Sequence, residues 1–150
     1  MKHLLIGASI LSALVLTQCD KAEHQVAKIE SKADMSFAKN TFESLAKGES
    51  SVFDKIDWAM LNSMGENIGA AYTLLPSETQ KRDFETSFVT QFASEFQKAG
   101  GTPDQFTNWR VSGHDDIKTE VAADSGTGTI TITVTERDGK ERVSGLGFIR

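Results

Sequence analysis

This chain has one cysteine, Cys19, so no disulfide can close within a single copy and no paired-cysteine metal site is available. It has two prolines, and no tract is biased enough in any residue type to read as low-complexity sequence or an internal repeat. Lysine and arginine number 16 against 21 acidic residues, for a formal charge of -5, and they never cluster into a block long enough to follow a phosphate backbone. Nucleic acid is therefore not an expected partner. Phosphate-cradling glycine loops and a Gly-x-Ser-x-Gly elbow are also missing, so the sequence indicates no catalytic residue, no metal and no cofactor. With 150 residues, 39% of them hydrophobic, the chain has enough material for one core and too little for two domains.

Long apolar runs are scarce too. The only one spans residues 4–16, follows the cationic start Met1-Lys2-His3 and is interrupted by Gly7, Ser9 and Ser12. A permanent span needs roughly 20 apolar residues, so this stretch reads as a secretory signal that is removed after export. No small-x-small cleavage site follows it. Leu16-Thr17-Gln18-Cys19 stands there instead, and this tetrapeptide resembles the bacterial lipobox. The resemblance implies that the Cys19 thiol takes a diacylglycerol and that cleavage then leaves Cys19 as the new N-terminus. Gln18 departs from the Gly, Ala or Ser usual at that place. Each buried methylene contributes about 0.8 kcal/mol, so two or three acyl chains hold a protein durably on a membrane. The expected location is the bacterial cell envelope, lipid-anchored and facing the periplasm or the exterior. Asp20 resembles an inner-membrane retention signal.

The expected organisation is a signal peptide over 1–18, a lipidated tether over 19–34, either a helical stalk or a flexible spacer, and an α+β domain over 35–150. Phe37, Phe42 and Leu45 share one helical face that stops at Gly48. Further helical pieces are expected over 52–62 and 66–75, the latter ended by Pro76. Ser77 and Gln80 form a capping-box pair opening a long helix, in which Phe84, Phe88, Phe92 and Phe96 recur every four residues before Gly100-Gly101 closes it. Beyond Pro103 the pattern alternates, with strands expected over 106–111 and 117–123 and a final hairpin turning at Asp138-Gly139. Counted out from that turn, Val134 faces Val143, Ile132 faces Gly145 and Ile130 faces Gly147. Glycines opposite large side chains suggest a sheet that bends over the helices. The fold class is thus α+β, with N-terminal helices packed on a curved, cone-like antiparallel sheet.

His114-Asp115-Asp116 is the one dense group of potential metal ligands. A third ligand is missing, and the residues suit an exposed turn between strands.

Helices followed by a curved sheet resemble the nuclear transport factor 2-like and cystatin-like folds. Ile56-Asp57-Trp58, Gly69, Tyr72, Pro76-Ser77-Glu78, the phenylalanines at 84, 88 and 92, and Trp109 together resemble the MlaC-type (toluene-tolerance) phospholipid-binding family over residues 53–150. That resemblance implies an apolar cavity that takes acyl chains. This chain departs from the family in stopping at Arg150 and in carrying the lipobox. Aromatic residues at helical spacing ordinarily build core. As ligand contacts, the candidates are Trp58, Tyr72, Phe84, Phe88, Phe92 and Trp109, with phospholipid or another apolar molecule as ligand. The alternatives are an adaptor that binds a second envelope protein and a small cone-fold hydrolase or isomerase.

Overall fold

The computed structural model describes the backbone of residues 16–150 and the side chains of residues 28–150, residue 29 excepted. The apolar run of the signal segment lies outside the described residues but for the backbone of Leu16, and the side chains of Cys19 and His24 lie outside them too. Among the described residues, no helix is long and apolar enough to cross a membrane.

The chain divides into two units, Met1–Glu30 and Ser31–Arg150. Helix α1, Leu16–Ala46, runs without a break past the 34/35 boundary expected between tether and domain. Within the second unit it buries Ala38, Thr41, Phe42 and Leu45, spaced by three and four residues as one helical face requires. Gly48, at φ +73°, turns the chain out of it. A 3-10 turn (Ser50–Lys55) follows, then two-residue strands β1 (Asn62–Ser63) and β2 (Glu66–Asn67), helix α2 (Ile68–Thr73) and helix α3 (Glu78–Lys98).

Residues 52–62 are therefore not the helix expected. Ile56 bridges to Val143, and the Asp57 amide donates to the Val143 carbonyl at 2.9 Å, so a sheet edge takes the backbone groups that a helix would have used. The next helix starts two residues late for the same reason: residues 66 and 67 pair with β1, and Asn67 then caps α2 by accepting from the Ala70 amide at 3.0 Å.

Helix α3 forms where the capping pair indicates, with the Ser77 hydroxyl accepting from the Gln80 amide at 3.2 Å. Its most buried line is Glu85, Val89 and Ala93. The four phenylalanines run beside that line, half-buried against the same core.

Strands β3 (Thr107–His114), β4 (Lys118–Ser125), β5 (Gly128–Arg137) and β6 (Lys140–Ile149) make an antiparallel meander. The full sheet has the order β2-β1-β6-β5-β4-β3, and β1 lies parallel to β6. The cone-like curved antiparallel sheet expected from the sequence does not form. The sheet is mixed and open, ending at β2 and β3, and it does not curl.

The reason lies in the register. Asp138 and Gly139 form the expected two-residue turn, both at positive φ, and Val134 does face Val143. Between that pair and the next, Thr133 with Gly145, Ser144 is left without a partner. This bulge shifts the phase: Ile132 faces Leu146, Thr131 faces Gly147, and Ile130 faces Phe148. The glycines therefore do not relieve large side chains in a bend. A Cβ on Gly145 would stand 2.7 Å from Thr133 Oγ1, so the missing side chain makes room for a threonine hydroxyl. Leu146 and Phe148 turn inward with Ile130 and Ile132, onto the face that meets α1 and α3.

Candidate functional site

The aromatic residues of the core form one connected ladder. Tyr72 meets Phe84 edge-on at 5.9 Å and stacks with Trp58 at 6.1 Å, and Trp58 meets Phe88 at 5.5 Å. Stacked pairs carry it on through Phe88, Phe92 and Phe96 to Phe106, and Phe42 closes edge-on against both Phe96 (5.7 Å) and Phe106 (5.2 Å). Trp109 tilts against Phe42 at 6.2 Å. Offset and edge-to-face contacts of this kind add roughly 0.5–1.5 kcal/mol per pair beyond burial. All six aromatic residues proposed as ligand contacts are in the ladder.

One end of the ladder opens. A cleft of about 540 Å³ lies between the C-terminal half of α3 and the β5–β6 hairpin. Buried Phe42, Phe106 and Ile130 form its floor, and Phe92, Phe96 and Phe148 its walls. Its rim carries Met64, Gln105, Thr127 and Arg150. The lining includes no carboxylate side chain, histidine or cysteine.

Of the residues singled out from sequence, only Phe92 lines this cleft. Phe88 borders a separate groove of about 350 Å³ on the far side of Met64 and Phe92. Trp58, Tyr72 and Trp109 have their polar atoms engaged internally. Trp58 Nε1 donates to the Phe53 carbonyl at 2.9 Å and Trp109 Nε1 to the Phe106 carbonyl at 3.1 Å. The Tyr72 hydroxyl donates at 2.9 Å to Glu85 Oε1, and Glu85 is 6% exposed. The other carboxylate oxygen of Glu85 lies 2.9 Å from Arg82 without an aligned hydrogen bond. Burial first, and then the Glu85 carboxylate, pushes the Tyr72 pKa up to about 12. Tyr72 thus acts as a clamp joining α2 to α3.

His114, Asp115 and Asp116 form a turn, not a ligand set. Asp115 Oδ1 accepts from the amides of Ile117 and Lys118, both at 2.9 Å, and this lowers its pKa. His114 Nδ1 lies 2.8 Å from the Thr119 hydroxyl, which in turn donates to Asp34 of α1. Beside them Glu141 is raised above the usual carboxylate range by burial and by Asp34, and Glu136 faces it across the hairpin. Among the described residues, no group of three or more His, Cys, Asp or Glu is arranged to hold a metal.

The sheet's other face carries a shallower, polar groove of about 520 Å³. Asp57, 5% exposed, is held at its side by Arg137 at 3.0 Å, with Thr133, Thr135 and Ser144 nearby. Met60 and Ile117, 61% and 78% exposed, flank it.

Sequence reasoning did not single out Phe106, Ile130, Phe148 or Arg150 as site residues. The available signal was the spacing of apolar residues in β6. Before the strand's last residue, Ile149, they fall at 143, 146 and 148, a change of parity that no regular strand gives.

The chain matches no protein-family model, no curated protein and no solved structure.

Proposed function

We propose that this protein is a lipid-anchored lipoprotein of the bacterial cell envelope whose folded domain binds one apolar chain in the cleft between α3 and the β5–β6 hairpin. The observation that carries the reading is the cleft itself: an apolar floor and walls with a polar rim, and a volume of about 540 Å³, within the range of roughly 300–1,000 Å³ typical of small-molecule sites. An apolar cleft of that size suits an acyl chain. A lining whose side chains include no carboxylate, histidine or cysteine to act as acid, base or activating partner supports binding over catalysis.

Mass spectrometry of protein extracted from membranes without alkyl detergent tests the proposal. A co-purifying single-chain lipid, lost when Ala99→Trp fills the cleft, is the expected result. A wild-type protein that carries no lipid and takes none up would overturn it.

A second reading, an adaptor for another envelope protein, is favoured by the exposure of Met60 and Ile117 beside the polar groove. Charge substitutions at these two residues would then abolish capture of that partner while leaving lipid content unchanged.

A further inference from the structure

The cleft has a direction. Its floor is apolar and closed: Phe42 is 3% exposed, Ile130 4% and Phe106 6%. Polarity appears only at the rim, with Gln105, Thr127 and one charged residue, Arg150. Among the described residues Arg150 makes no ion pair with a carboxylate side chain; Arg82, Arg110 and Arg137 each do, and Arg142 donates instead to the Asp54 carbonyl. A guanidinium with no carboxylate side chain as partner, at the mouth of a cleft whose other lining side chains are uncharged, complements a molecule with an apolar tail and an anionic, planar head. Gln105 and Thr127 add neutral donors beside it.

We infer that the ligand is a long-chain carboxylate, its alkyl tail laid over Phe42, Phe96 and Phe106 and its carboxylate paired with Arg150. The inference rests on the acyl-chain reading above and adds the head group to it. A neutral alcohol of the same chain length would keep the tail contacts and lose the charge-assisted pair. An alkyl ammonium would place a cation against Arg150.

The test uses the full chain solubilised in digitonin, whose steroid body offers no alkyl tail. The probes are carboxyl-labelled dodecanoate, followed by NMR, with dodecanol and dodecyltrimethylammonium as competitors. Wild-type protein should bind dodecanoate about tenfold more tightly than dodecanol, the lower end of what a charge-assisted hydrogen bond gives at an exposed rim. It should also hold the bound carboxylate's pKa below that of free dodecanoate. Arg150→Gln should abolish both the preference and the shift while dodecanol binding persists.

If all three probes bind equally and Ala99→Trp removes them, the cleft reading survives and the carboxylate pairing is refuted. Preference retained in Arg150→Gln refutes it as well. If nothing binds, or if binding is indifferent to both Ala99→Trp and the second rim variant Thr127→Phe, the cleft reading falls with it.

Discussion

The Tyr72–Glu85 contact gives Tyr72 a structural role, and that role can be tested cleanly because Tyr72 is the only tyrosine in the chain. In Tyr72→Phe the ring keeps its stack with Trp58 and its edge contact with Phe84, so packing is conserved. What is lost is a 2.9 Å hydrogen bond to a carboxylate that is 6% exposed. A hydrogen bond to a charged group contributes about 1.5–3 kcal/mol. The lower end applies because Arg82 still pairs with the other oxygen of Glu85. A loss of about 1.5 kcal/mol lowers the melting temperature by roughly 5 °C for a unit of this size. The double mutant with Glu85→Gln should show coupling of about 1 kcal/mol.

The pH dependence gives a second arm. The folded pKa of Tyr72, about 12, lies above the ordinary value of 10.0, so its contribution is complete below pH 10 and is lost as pH rises through about 12. The stability gap between wild type and Tyr72→Phe should therefore close over that window. Urea titrations across it measure the gap, and phenolate absorbance reports the titration directly. A native midpoint near the ordinary tyrosine value, or a Tyr72→Phe cost below about 0.5 kcal/mol, would refute the clamp.

Three further outcomes are expected. Gly145→Ala should destabilise by about 1–3 kcal/mol through overpacking against Thr133, and Thr133→Ala should relieve a large part of that cost in a double-mutant cycle; additive effects would count against the bulged register. Glu141→Gln removes a carboxylate that faces Glu136 and neighbours Asp34. Because its folded pKa is raised, the wild-type fold gains on this group in acid and loses as pH rises through that value, so the variant should be more stable by roughly 0.2–1 kcal/mol at neutral pH and indistinguishable at about pH 4, by urea titration. Cys19→Ser should prevent acylation and release the protein from membranes or block its maturation; retention with an unchanged mass would overturn the anchor proposal.

The elements read correctly from sequence were those specified by neighbours in the chain. Ser77 with Gln80 opens α3, Gly100 ends it at φ +77°, and Asp138-Gly139 turns the last hairpin; in each case a few consecutive residues supply the complete physical reason. The segment from Ile56 to Asn67 was misread because its backbone is claimed from a distance, by Val143, Gly145 and Leu146 of β6. Its apolar spacing suits a helix, and no local signal records that a sheet edge competes for its amides. The aromatic residues were harder still. Periodicity placed Phe84, Phe88, Phe92 and Phe96 on one face of α3, but which of them pack and which line a cleft depends on the element lying opposite.

That opposite element is set by one residue. The hairpin turn alone would pair odd positions of β6 with even positions of β5, giving Val143 with Val134 and then Gly145 with Ile132. Continued to the end of the strand, this register sends Gly145 and Gly147 into the core and Leu146 and Phe148 to solvent. The core would lose two large side chains, each contributing about 1.5–3 kcal/mol when fully buried, and the cleft would lose a wall. Leaving Ser144 unpaired reverses the phase for the rest of β6, so Leu146 becomes 7% exposed and Phe148 reaches the cleft. The disagreement between two local signals, the turn's register and the parity of the apolar positions, implies a bulge: both can hold only if one residue between Val143 and Leu146 has no partner. On this argument Ser144, which does not line the apolar cleft, determines that the cleft exists.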